Sequence, residues 1–282
     1  MSRPIWFVNL VKKSFPTRFA LARFTKAPLV GRLIDHALFG GDDIMYLPKD
    51  NLIQRNGVNV NRITVNEPIQ RPADTVLPSA VVAHFIEQSE YRWIMNFCIC
   101  RQSDNCQEYP QDLGCIFLGE AVLKINPKLG RLATRQEALD HLRRCREAGL
   151  VHMIGRNKLD TIWLGATPGQ KLLTICNCCP CCCLWRVLSH VDQAIGDKVT
   201  RMPGVSVAVN EACKGCKLCT RDVCFVDAIQ MVDGWAVIDA DRCRGCGRCV
   251  EVFPLDAIDL TFTPATSVQQ AIDRIAPLVE LG

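Results

Sequence analysis

The chain of 282 residues lacks the short motifs by which many enzymes bind nucleotides or catalytic zinc. It has no G-x-G-x-x-G run, no G-x-x-x-x-G-K-[ST] run and no H-E-x-x-H segment, so a nucleotide partner is not expected. It also has no uncharged run of 18 apolar residues that would predict a membrane-spanning helix. These absences argue against nucleotide-dependent enzymes, zinc proteases of that type and integral membrane proteins.

Acidic side chains are absent from residues 1–34, and the first carboxylate belongs to Asp35. The same segment carries seven basic side chains: Arg3, Lys12, Lys13, Arg18, Arg23, Lys26 and Arg32. Five aromatic side chains alternate with them: Trp6, Phe7, Phe15, Phe19 and Phe24. This composition resembles a helix lying on an anionic membrane surface. It is also compatible with docking on an acidic partner subunit, or with packing on the chain's own domain.

Cysteine is abundant, with 18 residues in the chain. No secretory signal peptide is recognisable, so we expect a reducing, cytoplasmic setting, with peripheral attachment to the inner face of the membrane if the basic segment binds lipid. Many cysteines are adjacent in sequence, and neighbours cannot easily form a disulfide with good geometry. Closely spaced thiols in such a compartment indicate metal ligands.

The sequence predicts an α+β protein with four segments. Residues 1–75 form a basic N-terminal leader and extended segment, and residues 76–200 a cysteine-rich cluster-binding domain. Residues 201–262 form a ferredoxin-like domain, and residues 263–282 a C-terminal helix.

One helix of the middle domain is well marked. Thr134 and Glu137 make a capping box, and Gly149 is a plausible stop. Residues 150–154 and 161–164 have the composition of two short strands, so helix and hairpin together outline a winged helix. Several arginines on this helix make DNA binding an alternative, although the same shape also serves as scaffolding.

The C-terminal third contains an internal repeat with an offset of 30 residues. Residues 213–229 have the sequence CKGCKLCTRDVCFVDAI, and residues 243–258 have the sequence CRGCGRCVEVFPLDAI. Each copy contains C-x-x-C-x-x-C, which presents three thiolates to one cluster, whereas zinc ribbons use separated C-x-x-C pairs. The intervening segment 229–238 predicts two short strands around an Asp-Gly turn. The whole resembles bacterial two-cluster ferredoxins.

This resemblance implies how the ligands are shared. In that family the fourth thiolate of each cluster comes from the other copy, which would join Cys224 to the second triplet, Cys243, Cys246 and Cys249. The first triplet, Cys213, Cys216 and Cys219, would need a ligand at position 253, where this chain has Phe253. That site is expected to hold a three-iron cluster, to borrow a thiolate from the middle domain, or to be empty.

Two further groups of cysteines lie in the middle domain. Residues 98–115 contribute four thiols, Cys98, Cys100, Cys106 and Cys115, enough for one 4Fe-4S cluster or for one zinc site, although they could also be buried structural thiols. Residues 176–183, CNCCPCCC, contribute six thiols: Cys176, Cys178, Cys179, Cys181, Cys182 and Cys183. These could form a second cluster, share one with the first group or complete the deficient ferredoxin site. Cys145 fits the apolar face of the predicted helix better than a ligand position.

The order of these motifs, with the C-x-C-R, GCIFLGEA and CNCCPCCC stretches followed by the ferredoxin pair, resembles a 4Fe-4S binding protein family of anaerobic bacteria and archaea over about residues 43–262. The resemblance implies two to four 4Fe-4S clusters, one of them conceivably three-iron or atypical, and a low-potential setting without an assigned substrate. The leading hypothesis is an electron carrier or electron-entry subunit that meets redox protein partners. The alternatives are a reductase or reductive activator with an open iron, and a redox-sensing DNA-binding regulator.

Overall fold

The computed structural model describes residues 2–56, 77–221, 223–252 and 256–281. The α-helices are α1 Ile5–Ser14, α2 Arg18–Phe24, α3 Pro28–Ile34, α4 Asp50–Asn56, α5 Ser79–Gln88, α6 Ile99–Ser103, α7 Arg135–Glu147, α8 Lys158–Leu164, α9 Gln193–Gly196, α10 Arg248–Glu251 and α11 Pro264–Ile275. The strands are β1 Asp43–Tyr46, β2 Arg92–Met95, β3 Ile116–Leu118, β4 Gly130–Leu132, β5 Val151–Arg156, β6 Leu173–Cys178, β7 Val199–Arg201, β8 Val205–Val209, β9 Ile229–Val232, β10 Trp235–Ile238 and β11 Ile258–Phe262. The mixture of helix and sheet agrees with the predicted α+β class.

A seven-stranded sheet with the order β4-β2-β3-β6-β5-β1-β7 organises most of the chain. Its central strands β5 and β6 are buried along nearly their whole length, including the polar side chains of Thr174 and Asn177. Their antiparallel pairing aligns Met153 with Cys176 and Val151 with Cys178. The sheet therefore places two cysteines of the CNCCPCCC run on a rigid, buried strand.

Strands from three of the four sequence segments enter this sheet. Strand β1 lies in the segment 1–75 and pairs antiparallel with β5 and parallel with β7. Strand β7, Val199–Arg201, crosses the proposed boundary at residue 200. The segment boundaries remain predictions, but the sheet joins the leader, the middle segment and the start of the ferredoxin-like segment.

The predicted hairpin after α7 is wrong. Residues 158–164 form the helix α8, and β5 pairs with β1 and β6 instead. Asn157 caps this helix by accepting a hydrogen bond from the Leu159 backbone N–H, and Gly165 ends it in the left-handed conformation. These two signals outweigh the strand-like composition, and the winged-helix outline is lost with the hairpin.

Helix α7 itself agrees with the prediction. The capping box between Thr134 and Glu137 is present, and Gly149 follows the last turn with φ +74°. The arginines of this helix face acidic groups: Arg143 pairs with Glu147, and Arg146 pairs with Asp50. The DNA-binding hypothesis depended on a winged helix, and the helix α8 stands where its hairpin was predicted.

Two small sheets hold the C-terminal repeat. Strands β9 and β10 form the predicted hairpin around Asp233 and Gly234, both with positive φ as a tight two-residue turn requires. Strands β8 and β11 pair in a second ribbon, from Val205↔Phe262 to Val209↔Ile258. The C-terminal helix is also present as α11. No helix among the described residues is long and apolar enough to cross a membrane.

The basic leader folds into α1, α2 and α3. Its inward side chains are few, chiefly Val8, Phe15 and Ala22. Many large apolar side chains of the same helices are exposed: Trp6, Leu10, Leu21, Phe24, Leu29, Val30 and Leu33.

Candidate metal centres

The loops that carry the ferredoxin-type cysteines require glycine. Gly215 has φ +65°, and a Cβ there would lie 2.2 Å from the carbonyl oxygen of Gly234. Gly245 has φ +64°, and a Cβ there would lie 2.7 Å from Cγ of Arg201. Both glycines stand at the same place of their C-x-x-C, so the sequence repeat is also a backbone repeat.

The second triplet and Cys224 surround one cavity. Its lining includes Cys224, Cys243, Cys246 and Cys249, with Phe225 and Arg248 beside them. Backbone N–H groups donate to two of these sulfurs, from Ala228 to Cys224 at 3.3 Å and from Gly245 to Cys243 at 3.4 Å. Burial raises the pKa of Cys246 to about 11 and raises the pKa of Cys224 and Cys249. Four thiols around one cavity, three partly buried and Cys249 buried, with N–H donors to two of them, are a donor set suited to a 4Fe-4S cluster.

The first triplet differs from the second in the exposure of its thiols. Cys213 and Cys219 are buried and Cys216 is exposed, and the electrostatic neighbours of the Cys219 thiol are the other two. Phe253 and Pro254, on which the predicted deficiency rests, lie outside the described residues. The cysteines of residues 176–183 belong to other groups, so the contacts do not favour a thiolate borrowed from there.

The ten middle-domain candidates separate into two groups. The first, here the six-thiol group, consists of Cys98, Cys100, Cys115, Cys176, Cys178 and Cys183, which line one cavity of about 290 Å³. The second, here the four-thiol group, consists of Cys106, Cys179, Cys181 and Cys182. The structure thus places three of the four thiols of residues 98–115 with three thiols of residues 176–183, which is the shared arrangement among the alternatives left open by the sequence.

Strand pairing and a short helix explain this division. Cys115 precedes β3, whose Ile116 aligns with Ile175 of β6, so the Cys115 and Cys176 sulfurs lie 3.9 Å apart. Cys98 caps α6, and Cys106 follows the end of that helix and reaches Cys181 at 3.5 Å. Long-range pairing therefore decides which thiols of residues 98–115 join which thiols of residues 176–183.

The six-thiol cavity is enclosed mainly by apolar side chains. Phe7, Val11 and Phe15 of the leader close it on one side, and Trp163 and Trp185 lie on others. Hydrogen bonds within the group polarise its thiols: the pKa of Cys98 is lowered to about 7, chiefly by a bond from Cys100. The pKa of Cys178 is lowered by bonds from Cys176 and then Cys183. A cavity lined by these six thiols, with Cys179 at its border, suits an iron–sulfur cluster, which cysteine thiolates bind.

Two buried arginines supply positive charge to these groups. Arg101 is 0% exposed and donates to the carbonyl oxygens of Pro110, Asn177 and Leu113. Burial alone would lower its pKa, but the thiolates around it, led by Cys98, reverse this and raise it. In the sequence, Arg101 directly follows Cys100, and this adjacency is the signal that could have indicated a cation beside the thiolates.

Arg248 is the second buried cation, 4% exposed. Its Nη2 donates to the Cys178 carbonyl oxygen at 3.4 Å, whereas Nε and Nη1 have no hydrogen-bond partner among the described residues. Leaving charged N–H donors buried and unpaired is costly. Its electrostatic neighbours include Cys246, Cys183 and Cys178, so this side chain fits a place beside anionic, thiolate-bound clusters.

Cys145 is fully buried beside Leu150 in the core and lies outside both thiol groups. This agrees with its assignment to the apolar face of α7.

The match to a family model lies in the ferredoxin-like segment. Residues 236–259 match the 4Fe-4S binding domain family. One subunit of an ion-translocating oxidoreductase complex, from Methanosarcina acetivorans, is 38% identical over 56 residues, which are 20% of this chain and 21% of that protein. An uncharacterized ferredoxin of Methanocaldococcus jannaschii is 36% identical over 59 residues, which are 20% of this chain and 39% of that protein. No solved structure matches the chain.

The chain is an iron–sulfur protein. More particularly, its C-terminal part is a ferredoxin-type 4Fe-4S binding domain, and its cofactors are 4Fe-4S clusters. An iron–sulfur electron-transfer role follows from this domain. The chain spans about a fifth and two fifths of the lengths of the two relatives, so their whole activities are not carried over.

Proposed function

We propose that the protein is a multi-cluster, low-potential one-electron carrier, or the electron-entry subunit of an anaerobic redox complex. In this proposal the six-thiol group binds one cluster and the Cys224 group binds another. Electrons pass between them and to a redox partner. The relative from Methanosarcina acetivorans, named as one subunit of an oxidoreductase complex, supports a partner in such a complex.

The observation that carries the proposal is a short aromatic bridge between the two groups. The Tyr46 hydroxyl lies 3.8 Å from Sγ of Cys183, which belongs to the six-thiol group. The Tyr46 ring lies 4.9 Å from the ring of Phe225, which follows Cys224 in the chain. A cluster bound by Cys183 and a cluster bound by Cys224 would be separated by the packed rings of Tyr46 and Phe225. Such a short separation suits direct electron transfer between the clusters.

A potentiometric titration followed by electron paramagnetic resonance tests the proposal. Each cluster should take up one electron reversibly, and the spectra of the fully reduced protein should show magnetic interaction between neighbouring clusters. Cyanide or carbon monoxide should leave the signals unchanged. Isolated, non-interacting signals would contradict the arrangement.

The second candidate is a reductase or reductive activator with an open iron. The exposed thiol of Cys216, in a triplet with no fourth thiolate among its described neighbours, favours this candidate. Here cyanide or carbon monoxide should change one signal, and that result would move the protein from carrier to catalyst.

We also propose that the leader docks on an anionic lipid surface. Leu29 and Leu33 are 77% and 72% exposed, and exposed basic side chains such as Arg23 and Arg32 lie in the same acid-free segment. An exposed apolar surface flanked by cations is typical of helices that bind at the membrane interface. An acidic partner protein is the competing occupant.

Replacing Phe24, Leu29 and Leu33 by serine should abolish flotation with phosphatidylglycerol vesicles. Each side chain buried in the membrane contributes about 1.5–3 kcal/mol, so three losses should weaken binding by roughly 1,000-fold or more. Point variants are preferable to removing residues 1–34, because Phe7 and Phe15 of that segment close the six-thiol cavity.

The matched control replaces three exposed apolar side chains elsewhere, Leu123, Leu132 and Val237. This control should float like the parent protein, and neither protein should float with neutral vesicles. If the parent fails to float with anionic vesicles, lipid docking is wrong.

A further inference from the structure

The four-thiol group is more compact than the other cysteine groups. The sulfurs of Cys106, Cys179, Cys181 and Cys182 all lie within 4.8 Å of one another. The Cys106–Cys181 and Cys181–Cys182 sulfur distances are 3.5 Å and 3.6 Å. Within the described ranges it is the one set of at least three cysteine, histidine or carboxylate ligands gathered so closely.

This spacing distinguishes a single ion from a cluster. A tetrahedral ion with metal–sulfur bonds of about 2.3 Å places its four sulfurs about 3.8 Å apart. In a 4Fe-4S cluster each thiolate binds a different iron. The cysteine sulfurs around a cluster therefore lie further apart than those around a single ion, because the irons themselves are separated. The Cys224 group, whose domain binds such a cluster, does not meet the 4.8 Å limit in the same molecule.

We propose that Cys106, Cys179, Cys181 and Cys182 bind one zinc ion in a closed, structural four-thiolate site. Zinc is the ion that such tetrahedral sites typically hold. Backbone N–H groups are already aimed at the sulfurs: Cys182 donates to Cys179 at 3.3 Å, and Glu108 and Tyr109 donate to Cys106. These donors stabilise thiolate charge, and binding releases the thiol protons to solvent.

The site would join two loops that are distant in sequence. Cys106 belongs to the loop after α6, whereas the other three ligands belong to the loop after β6. Cys179 also borders the six-thiol cavity. The zinc ion would thus fix the loop that carries Cys183 against the loop that carries Cys115, and it would carry no electrons itself.

Metal analysis of the anaerobically purified full-length protein tests the assignment. We expect one zinc per chain in protein that is fully loaded with iron, and a zinc X-ray absorption spectrum with four sulfur neighbours at about 2.3 Å. A Cys181→Ser variant should lose the zinc and keep its iron and sulfide. The control Cys224→Ser, in the separate ferredoxin-type group, should lose iron and sulfide and keep the zinc.

Several results would overturn the assignment. One is the absence of zinc from iron-loaded protein, and another is a zinc spectrum with nitrogen or oxygen neighbours. A parallel loss of iron and sulfide from Cys181→Ser would assign these thiols to a cluster instead. If that variant does not fold, the absorption spectrum of the parent protein still decides. The carrier proposal is tested separately, because it depends on iron and not on zinc.

Discussion

Replacing Cys224 by serine is expected to remove the same cluster as replacing Cys243. The two residues belong to different copies of the repeat, but their thiols line one cavity with Cys246 and Cys249. Each substitution should therefore cost about four irons and four sulfides per chain, the content of one 4Fe-4S cluster, together with its reduced-state resonance signal. Iron and sulfide assays of the two variants and of the double variant provide the measurement.

The double variant is informative because its loss should equal that of either single variant. The control Cys145→Ala removes a fully buried thiol without touching this group, so it should retain all iron. A Cys224→Ser protein with full iron content, beside a depleted Cys243→Ser protein, would refute the shared site.

Replacing Arg248 by methionine is expected to lower the reduction potential of the neighbouring clusters. The side chain is buried and lies near Cys246, Cys183 and Cys178. Its positive charge favours the reduced, more negative state of a cluster. Two unit charges about 8 Å apart interact by about 2 kcal/mol at an effective dielectric constant near 20. Loss of this interaction corresponds to roughly 90 mV for a one-electron couple.

Lysine at position 248 keeps the charge and should restore most of the potential. The matched control is Arg143→Met, the same substitution on the exposed side of α7. It should leave every potential within a few millivolts, since solvent and salt screen that distant charge. Equal potentials in Arg248→Met and the parent protein would mean that no cluster lies beside this side chain.

The local features of the fold could be predicted from sequence because short-range chemistry determines them. The Thr134 capping box and the hairpin turn at Asp233–Gly234 are each fixed by two to four residues. The helix α8 was missed although its signals were also local, at Asn157 and Gly165. There the cap and the stop outweigh the β-like composition of residues 161–164.

The grouping of the thiols could not be predicted, because it depends on contacts between distant residues. The alignment of Ile116 with Ile175 brings Cys115 to Cys176, and the end of α6 sends Cys106 to Cys181 instead. Equally, nothing in the repeat itself indicates that Arg248 would reach the carbonyl oxygen of Cys178. In contrast, the ferredoxin-type spacing was informative because each triplet folds around its own glycine turn.

Iron and sulfide determination on anaerobically purified protein, combined with Mössbauer spectroscopy, is the most direct test that thiolates of the triplet repeats and of the six-thiol group bind 4Fe-4S clusters. The account predicts a brown protein with equal amounts of iron and sulfide, about eight or more of each per chain, and Mössbauer signals of 4Fe-4S clusters. A colourless protein, with zinc or no metal at the triplets, would contradict it.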